Sequence, residues 1–313
     1  MMHVEYATKR LLPLVAICAV VSAPLQAAEV RVVATTSDVA AVFQRVGGER
    51  VEVTTLAKGY MDPHYLQAKP SYIVSLRRAD ILAYNGLQLE IGWLPLILQG
   101  ARNNKINLGQ PGHVPMSVRL DILEIPIGEV SRAQGDVHPE GNPHYTLDPR
   151  NLIEMASTAE AALVRVDPEG GSIYAGNRAA FVTQLQEQIP IWERKLAPYR
   201  GRPIVCYHKQ WEYLLNWLEL VPIDYVENRP GIPPSPRHVE ELERRMREQG
   251  VPILLSSTFI DSDQLERLSE KTGAKLLVLP AAVGAEEELD EPVAFFAHLV
   301  EELAAAFADG SSD

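Results

Sequence analysis

The chain has 313 residues, 46% of them hydrophobic, a formal charge of −12 and two cysteines. That length accommodates two domains with separate cores, and the hydrophobic content argues against a disordered chain. An acidic chain without a basic block is poorly suited to nucleic acid or anionic membranes and is compatible with a cationic ligand. At the N-terminus, Lys9 and Arg10 precede an apolar run from Leu11 to Val21 and then small residues up to Ala28, the layout of a secretory signal peptide. The run is too short for a stable membrane anchor. Residues 1–28 are therefore expected to be removed, leaving a soluble exported protein that starts near Glu29. Cys18 lies inside this segment and follows Ile17 rather than the small residue that lipoprotein processing prefers, so a lipid anchor is not expected. Cys206 is then the single cysteine of the mature chain, which excludes an internal disulfide.

Past the signal, apolar runs with strand character alternate with helical patterns. "EVRVVATTS" and "VEVTTLAK" read as strands, with "DVAAVFQRVGG" between them as a helix closed by glycine. "SYIVSLRRAD" reads as a short helix and "ILAYNG" as a buried strand with a turn. Asp148 can cap a helix that has Pro149 at its first position, and Leu152, Ile153, Met155, Ala156, Ala159, Ala162 and Leu163 follow at helical spacing. Residues 171–201 carry no strand signal and read as one helix of about 26 residues, spanning about 40 Å and expected to kink at Pro190. Beyond it, "RPIVCYH", "VPIDYVEN", "VPILLSST" and "AKLLVLP" read as strands separated by three helix-like segments. Strands alternating with helices imply parallel sheets with helices on their faces. The expected fold is α/β with two lobes, each a mainly parallel sheet flanked by helices. The N-terminal lobe is assigned to residues 29–168, the long linker helix to 169–200 and the C-terminal lobe to 201–313. The ligand cleft lies between the lobes, beyond the carboxyl ends of the strands.

Eight histidines are present. His238 and His298 fall on amphipathic helices and His113 in a loop without distinctive surroundings, where structural or exposed roles are expected. His64 and His144 share the context Pro-His-Tyr, each with an acidic residue nearby and a helix start soon after. His208 follows a buried strand and precedes a helix. All three map to strand-to-helix loops, two in the first lobe and one in the second, where they can converge on the cleft. Their wide separation rules out a local zinc finger and requires a site assembled by tertiary structure. Spacing alone leaves open both shared metal ligation and separate hydrogen-bonded roles.

The segments "DPHYLQAKPS", "ADILAYNGLQLE", "GNPHYTLDPRN", "YHKQWEYL", "RPGIPPSPRH" and "TGAKLLVLP", in this order, resemble the periplasmic substrate-binding proteins of zinc/manganese ABC importers. The resemblance runs from about Glu29 to the C-terminus. It implies His64, His144 and His208 as metal ligands, two α/β lobes joined by a long helix, and delivery of the ion to a membrane permease rather than catalysis. It further suggests a monomer, with a periplasmic metallochaperone as a second partner. Two departures from the family pattern stand out. The loop before the second ligand is short and holds only His138, which suits a plain surface loop or a residue that passes metal on. Ala281 stands where manganese-type members place a carboxylate, so the fourth position falls to water or to Glu286, Glu287, Glu288 or Asp290 of the following loop. Three imidazoles with at most one carboxylate suit Zn²⁺ better than Mn²⁺. Cys206 reads as a buried, inert thiol. The competing reading is an exported zinc hydrolase, since three histidines and an open position also describe a catalytic zinc. It requires a general base, and the only carboxylate beside a candidate ligand, apart from the capping Asp148, is Asp62.

Overall fold

The computed structural model describes residues 1–3, 30–128, 137–229 and 231–309. The signal segment with Cys18 lies outside them. The first lobe opens with β1 (Val30–Thr36), α1 (Ser37–Gly47) and β2 (Val51–Ala57). It continues through α2 (Pro70–Arg78), β3 (Ile81–Tyr84), α3 (Leu94–Ala101), β4 (His113–Pro115) and α4 (Pro149–Val166). α5 (Gly171–Leu196) leads to the second lobe, which holds β5 (Pro203–Cys206), α6 (Glu212–Leu218), β6 (Val221–Tyr225) and α7 (Pro236–Glu248). β7 (Ile253–Ser257), α8 (Asp263–Thr272), β8 (Lys275–Leu279) and α9 (Pro292–Asp309) complete it. The sheets have orders β2-β1-β3-β4 and β6-β5-β7-β8, and every pairing is parallel. The expected two-lobe α/β architecture with a long helix between the sheets is therefore the observed one. None of the helices in the described residues is long and apolar enough to cross a membrane.

Strand alternation decides how the layers stack. Val30, Val32 and Ala34 of β1 point into one core, whereas Val33 points into another on the opposite face. In the second lobe Ile204 and Cys206 of β5 and Ile253 and Leu255 of β7 share the first core, while Val205 and Leu254 enter a third. Successive side chains of a strand leave opposite faces, so each sheet presents one face to its own outer helices and the other to a core common to both lobes. α5 runs through that common core with Phe181, Leu185, Ile189, Trp192 and Leu196 buried at steps of three and four. α4 fits its sequence pattern closely. Asp148 accepts from the Arg150 amide at 2.9 Å, and every predicted apolar position is buried except Ile153, which is half-buried.

Two elements were not legible beforehand, and a third is shorter than expected. β4 pairs only three residues with β3, so His113 belongs to an edge strand rather than a loop. α3 starts without a side-chain cap, and α6 is shorter than its apolar run suggests. Short elements carry too few periods to be distinguished from a turn.

Candidate metal centre

His64 comes from a single 3₁₀ turn, Pro63–Tyr65, that follows β2. Asp62 caps that turn. Its Oδ1 accepts from the His64 amide at 2.9 Å and from the ring Nδ1 at 2.7 Å. A carboxylate at Nδ1 fixes the proton there and leaves Nε2 with its lone pair. Burial pushes the Asp62 carboxyl up, but the hydrogen bonds and charge of His64 outweigh it and hold the group below the usual carboxylate value, so it stays ionised. The turn is anchored from behind by Trp93, whose Nε1 donates to the Pro63 carbonyl at 2.8 Å.

His144 sits on the loop into α4. Its amide donates to Asn142 Oδ1 at 2.9 Å, and the Pro143 carbonyl accepts from Asn85 Nδ2 at 2.6 Å. Asn142 also reaches the second lobe, donating from Nδ2 to the Lys209 carbonyl at 2.7 Å. The His144 ring is enclosed. Burial first, and then the rings of His64, His208 and His138, hold its pKa well below the ordinary imidazole value. The ring therefore stays neutral, the form a metal needs, and its buried Nε2 has no partner among the described residues. A buried lone pair without a partner is costly unless a ligand meets it.

His208 follows β5, and its Nδ1 lies 2.6 Å from Glu227 Oε2. Sheet register produces this pair. Cys206 lies opposite Tyr225 in the parallel β5–β6 ladder, so two residues further along each strand bring His208 beside Glu227. Sequence reading passed over Glu227, because no short-range pattern links residues so far apart; the parallel pairing of consecutive strands was the signal that could have found it.

The three rings converge from these separate elements. Centroids are 5.2 Å apart for His64 and His144, 5.8 Å for His64 and His208, and 5.7 Å for His144 and His208. One ring nitrogen from each lies within 4.8 Å of the others. Asp38, Asp62 and Glu227 line the surrounding cavity, and the ionised Asp62 favours a cation there. The other histidines have separate duties: His113 Nδ1 meets the Ile106 carbonyl at 2.9 Å and His238 Nε2 meets the Tyr225 carbonyl at 2.8 Å. His298 lies on α9, away from the cavity. His138 is not a plain surface residue, because its Nε2 lies 3.3 Å from His64 Nε2. Ala281 lines the cavity without a donor atom. Glu286, Glu287, Glu288 and Asp290 are exposed and do not line it. Their loop packs down on Gly59, so closely that a Cβ there would meet the Ala285 amide at 2.4 Å. Cys206 is buried, with burial and then the charge of Glu212 pushing its thiol pKa well up, as suits an inert side chain.

Three imidazoles gathered between two parallel α/β lobes, two of them backed by carboxylates, define a two-lobed protein built to hold a divalent metal ion. The chain belongs to the ZnuA family, zinc-uptake complex component A, periplasmic, whose family model matches residues 32–306. Relatives of the chain include the metal ABC transporter substrate-binding lipoprotein SsaB of Streptococcus sanguinis, 23% identical over 257 residues, covering 80% of this chain and 79% of that one. The iron-binding protein YfeA of Yersinia pestis is 25% identical over 252 residues, covering 78% of this chain and 75% of that one. The manganese ABC transporter substrate-binding lipoprotein PsaA of Streptococcus pneumoniae is 22% identical over 250 residues, covering 78% and 77%. A crystal structure of ZnuA superimposes with a TM-score of 0.73 at 22% identity, over 88% of this chain and 98% of that one. FpvC of Pseudomonas aeruginosa in complex with Mn²⁺ does so with a TM-score of 0.76 at 18% identity, over 90% and 100%. These relatives are named for zinc, iron and manganese, so family membership establishes a divalent-metal binder without fixing the metal. It gives the hydrolase reading no support. Several relatives are named lipoproteins, so the expectation of a chain without a lipid anchor finds no support among them.

Proposed function

We propose that this protein captures Zn²⁺ outside the cytoplasm through His64, His144 and His208 and hands it to the permease of an ABC importer. The observation that carries this reading is the convergence of one nitrogen from each ring within 4.8 Å. Asp62 and Glu227 fix the tautomers of two rings, and the third presents a buried Nε2 that has no partner among the described residues. Neutral nitrogen donors favour zinc over manganese, which prefers oxygen. Carboxylates behind the imidazoles raise their basicity and offset part of the ion's charge without entering its coordination shell.

Two measurements test it. In calorimetric titration with zinc, His64→Ala, His144→Ala and His208→Ala should each lose at least 100-fold in affinity, about 2.7 kcal/mol. His113→Ala and His298→Ala should bind like the parent. Metal analysis of the protein isolated from its own host should find about one zinc per chain. Manganese or iron at that stoichiometry would overturn the zinc assignment while sparing the three ligands.

A further inference from the structure

We propose that Glu90 is a positioning residue of this metal site, its buried carboxylate holding His144 in place through Asn85. The inference rests on the three-histidine reading above and extends it. Glu90 is 3% exposed and does not line the cavity. Its Oε1 accepts from the Thr35 hydroxyl at 2.6 Å and from the Asn85 amide at 2.7 Å, and its Oε2 accepts from the Gly86 amide at 3.1 Å. One group thereby ties the carboxyl end of β1 to the turn that follows β3.

Asn85 carries that restraint to the ligand. It donates from Nδ2 to the Pro143 carbonyl at 2.6 Å, and its own carbonyl accepts from the Tyr145 hydroxyl at 2.7 Å. Pro143 and Tyr145 stand on either side of His144, so a fixed Asn85 fixes the ring between them. The main chain of Glu90 serves the other ligand of the first lobe. Its carbonyl accepts from the Trp93 and Leu94 amides at 3.1 and 2.9 Å, and the Trp93 indole holds the Pro63 carbonyl next to His64.

The backbone between Asn85 and Glu90 shows why such a restraint is needed. Gly86, Leu87 and Gln88 follow one another in the left-handed region, with φ of 83°, 52° and 64°. Glycine adopts that region freely, whereas leucine and glutamine do so at a cost and stay there only where the surroundings over-determine them. Leu87 is buried in the common core, and the amides that open the turn end on Glu90. All three partners of the carboxylate are donors. Glutamine has nearly the same shape but would set its own N–H groups against one of them, leaving a buried donor without an acceptor.

The test uses the full mature protein. Glu90→Gln should weaken zinc binding at least tenfold and change the visible absorption of the protein saturated with cobalt. That spectrum reports ligand geometry in the loaded site, which a loss of stability alone does not move. Asn85→Ala, which removes the donor to Pro143, should weaken binding by a similar factor. The double variant should lose little more than either single one, since both act along one chain of contacts. Should Glu90→Gln fail to fold without metal, as read by circular dichroism, Thr35→Val removes one donor while keeping the carboxylate and takes its place in the same measurements. Parental affinity with an unchanged cobalt spectrum, or losses that simply multiply in the double variant, would overturn the proposal and leave the three-histidine site standing. Zinc affinity unaffected in His144→Ala would instead overturn the underlying reading.

Discussion

Glu227 shows what one carboxylate can do from behind a proposed ligand. At 2.6 Å from His208 Nδ1 it fixes the proton on the far side of the ring and makes Nε2 a better donor. Glu227→Gln keeps the shape and an acceptor oxygen but removes the charge. Zinc affinity should fall 10- to 100-fold, with the stability of the metal-free chain little changed; affinity within twofold of the parent would mean that the carboxylate only positions the ring. The residue scale is also where legibility divides most sharply. His64, His144 and His208 could be picked out because each stands between a strand signal and a helix signal. Glu227 could not, because its place beside His208 depends on sheet register, which leaves no periodic trace.

The helix α5 was the most readable element, because 26 residues give seven turns over which a pattern can repeat. It runs continuously through Pro190, which is exposed. Trp192 anchors it to the second lobe. Its ring centroid lies 6.1 Å from Trp217 of α6 and 5.9 Å from Phe296 of α9, and the next residue, Glu193, accepts from Trp217 Nε1 at 3.0 Å. Trp192→Ala leaves a large void in a core that both lobes share. It should lower unfolding stability by about 3–5 kcal/mol, read from the denaturant midpoint. A loss below about 1 kcal/mol would show that the surrounding helices close the space.

At the scale of the whole molecule, the lobes are joined by polar contacts as well as by the common core. Asp38, at the start of α1, accepts from the Val283 amide of the second lobe at 2.9 Å. Burial raises its carboxyl from 3.8 to about 7, despite hydrogen bonds from Val283, its own amide and Thr146 that pull the other way. The folded chain thus keeps a proton that the unfolded chain has released, so the stabilisation is full below about pH 4 and is lost as pH rises through about 7. Asp38→Asn keeps an acceptor and cannot ionise. Without metal, its stability relative to the parent should improve by more than 1 kcal/mol from pH 5 to pH 8, by up to roughly 1.4 per pH unit while the folded chain still holds the proton and the unfolded chain does not. A constant difference between the two chains would mean that this carboxyl ionises normally.

None of these contacts between the lobes could be read in advance, since they join residues far apart in the sequence, yet one of them bears directly on the candidate site. Asn142 orients the His144 amide with its oxygen and holds the Lys209 carbonyl of the opposite lobe with its nitrogen. In the proposed site, one amide therefore serves both the placing of a ligand and the grip of one lobe on the other. Thermodynamic linkage makes such a coupling reciprocal: whatever factor closure adds to affinity, a bound cation adds to closure. A membrane partner that pries Lys209 away from Asn142 thereby loosens the ion without touching it, working as a lever rather than as a competing ligand.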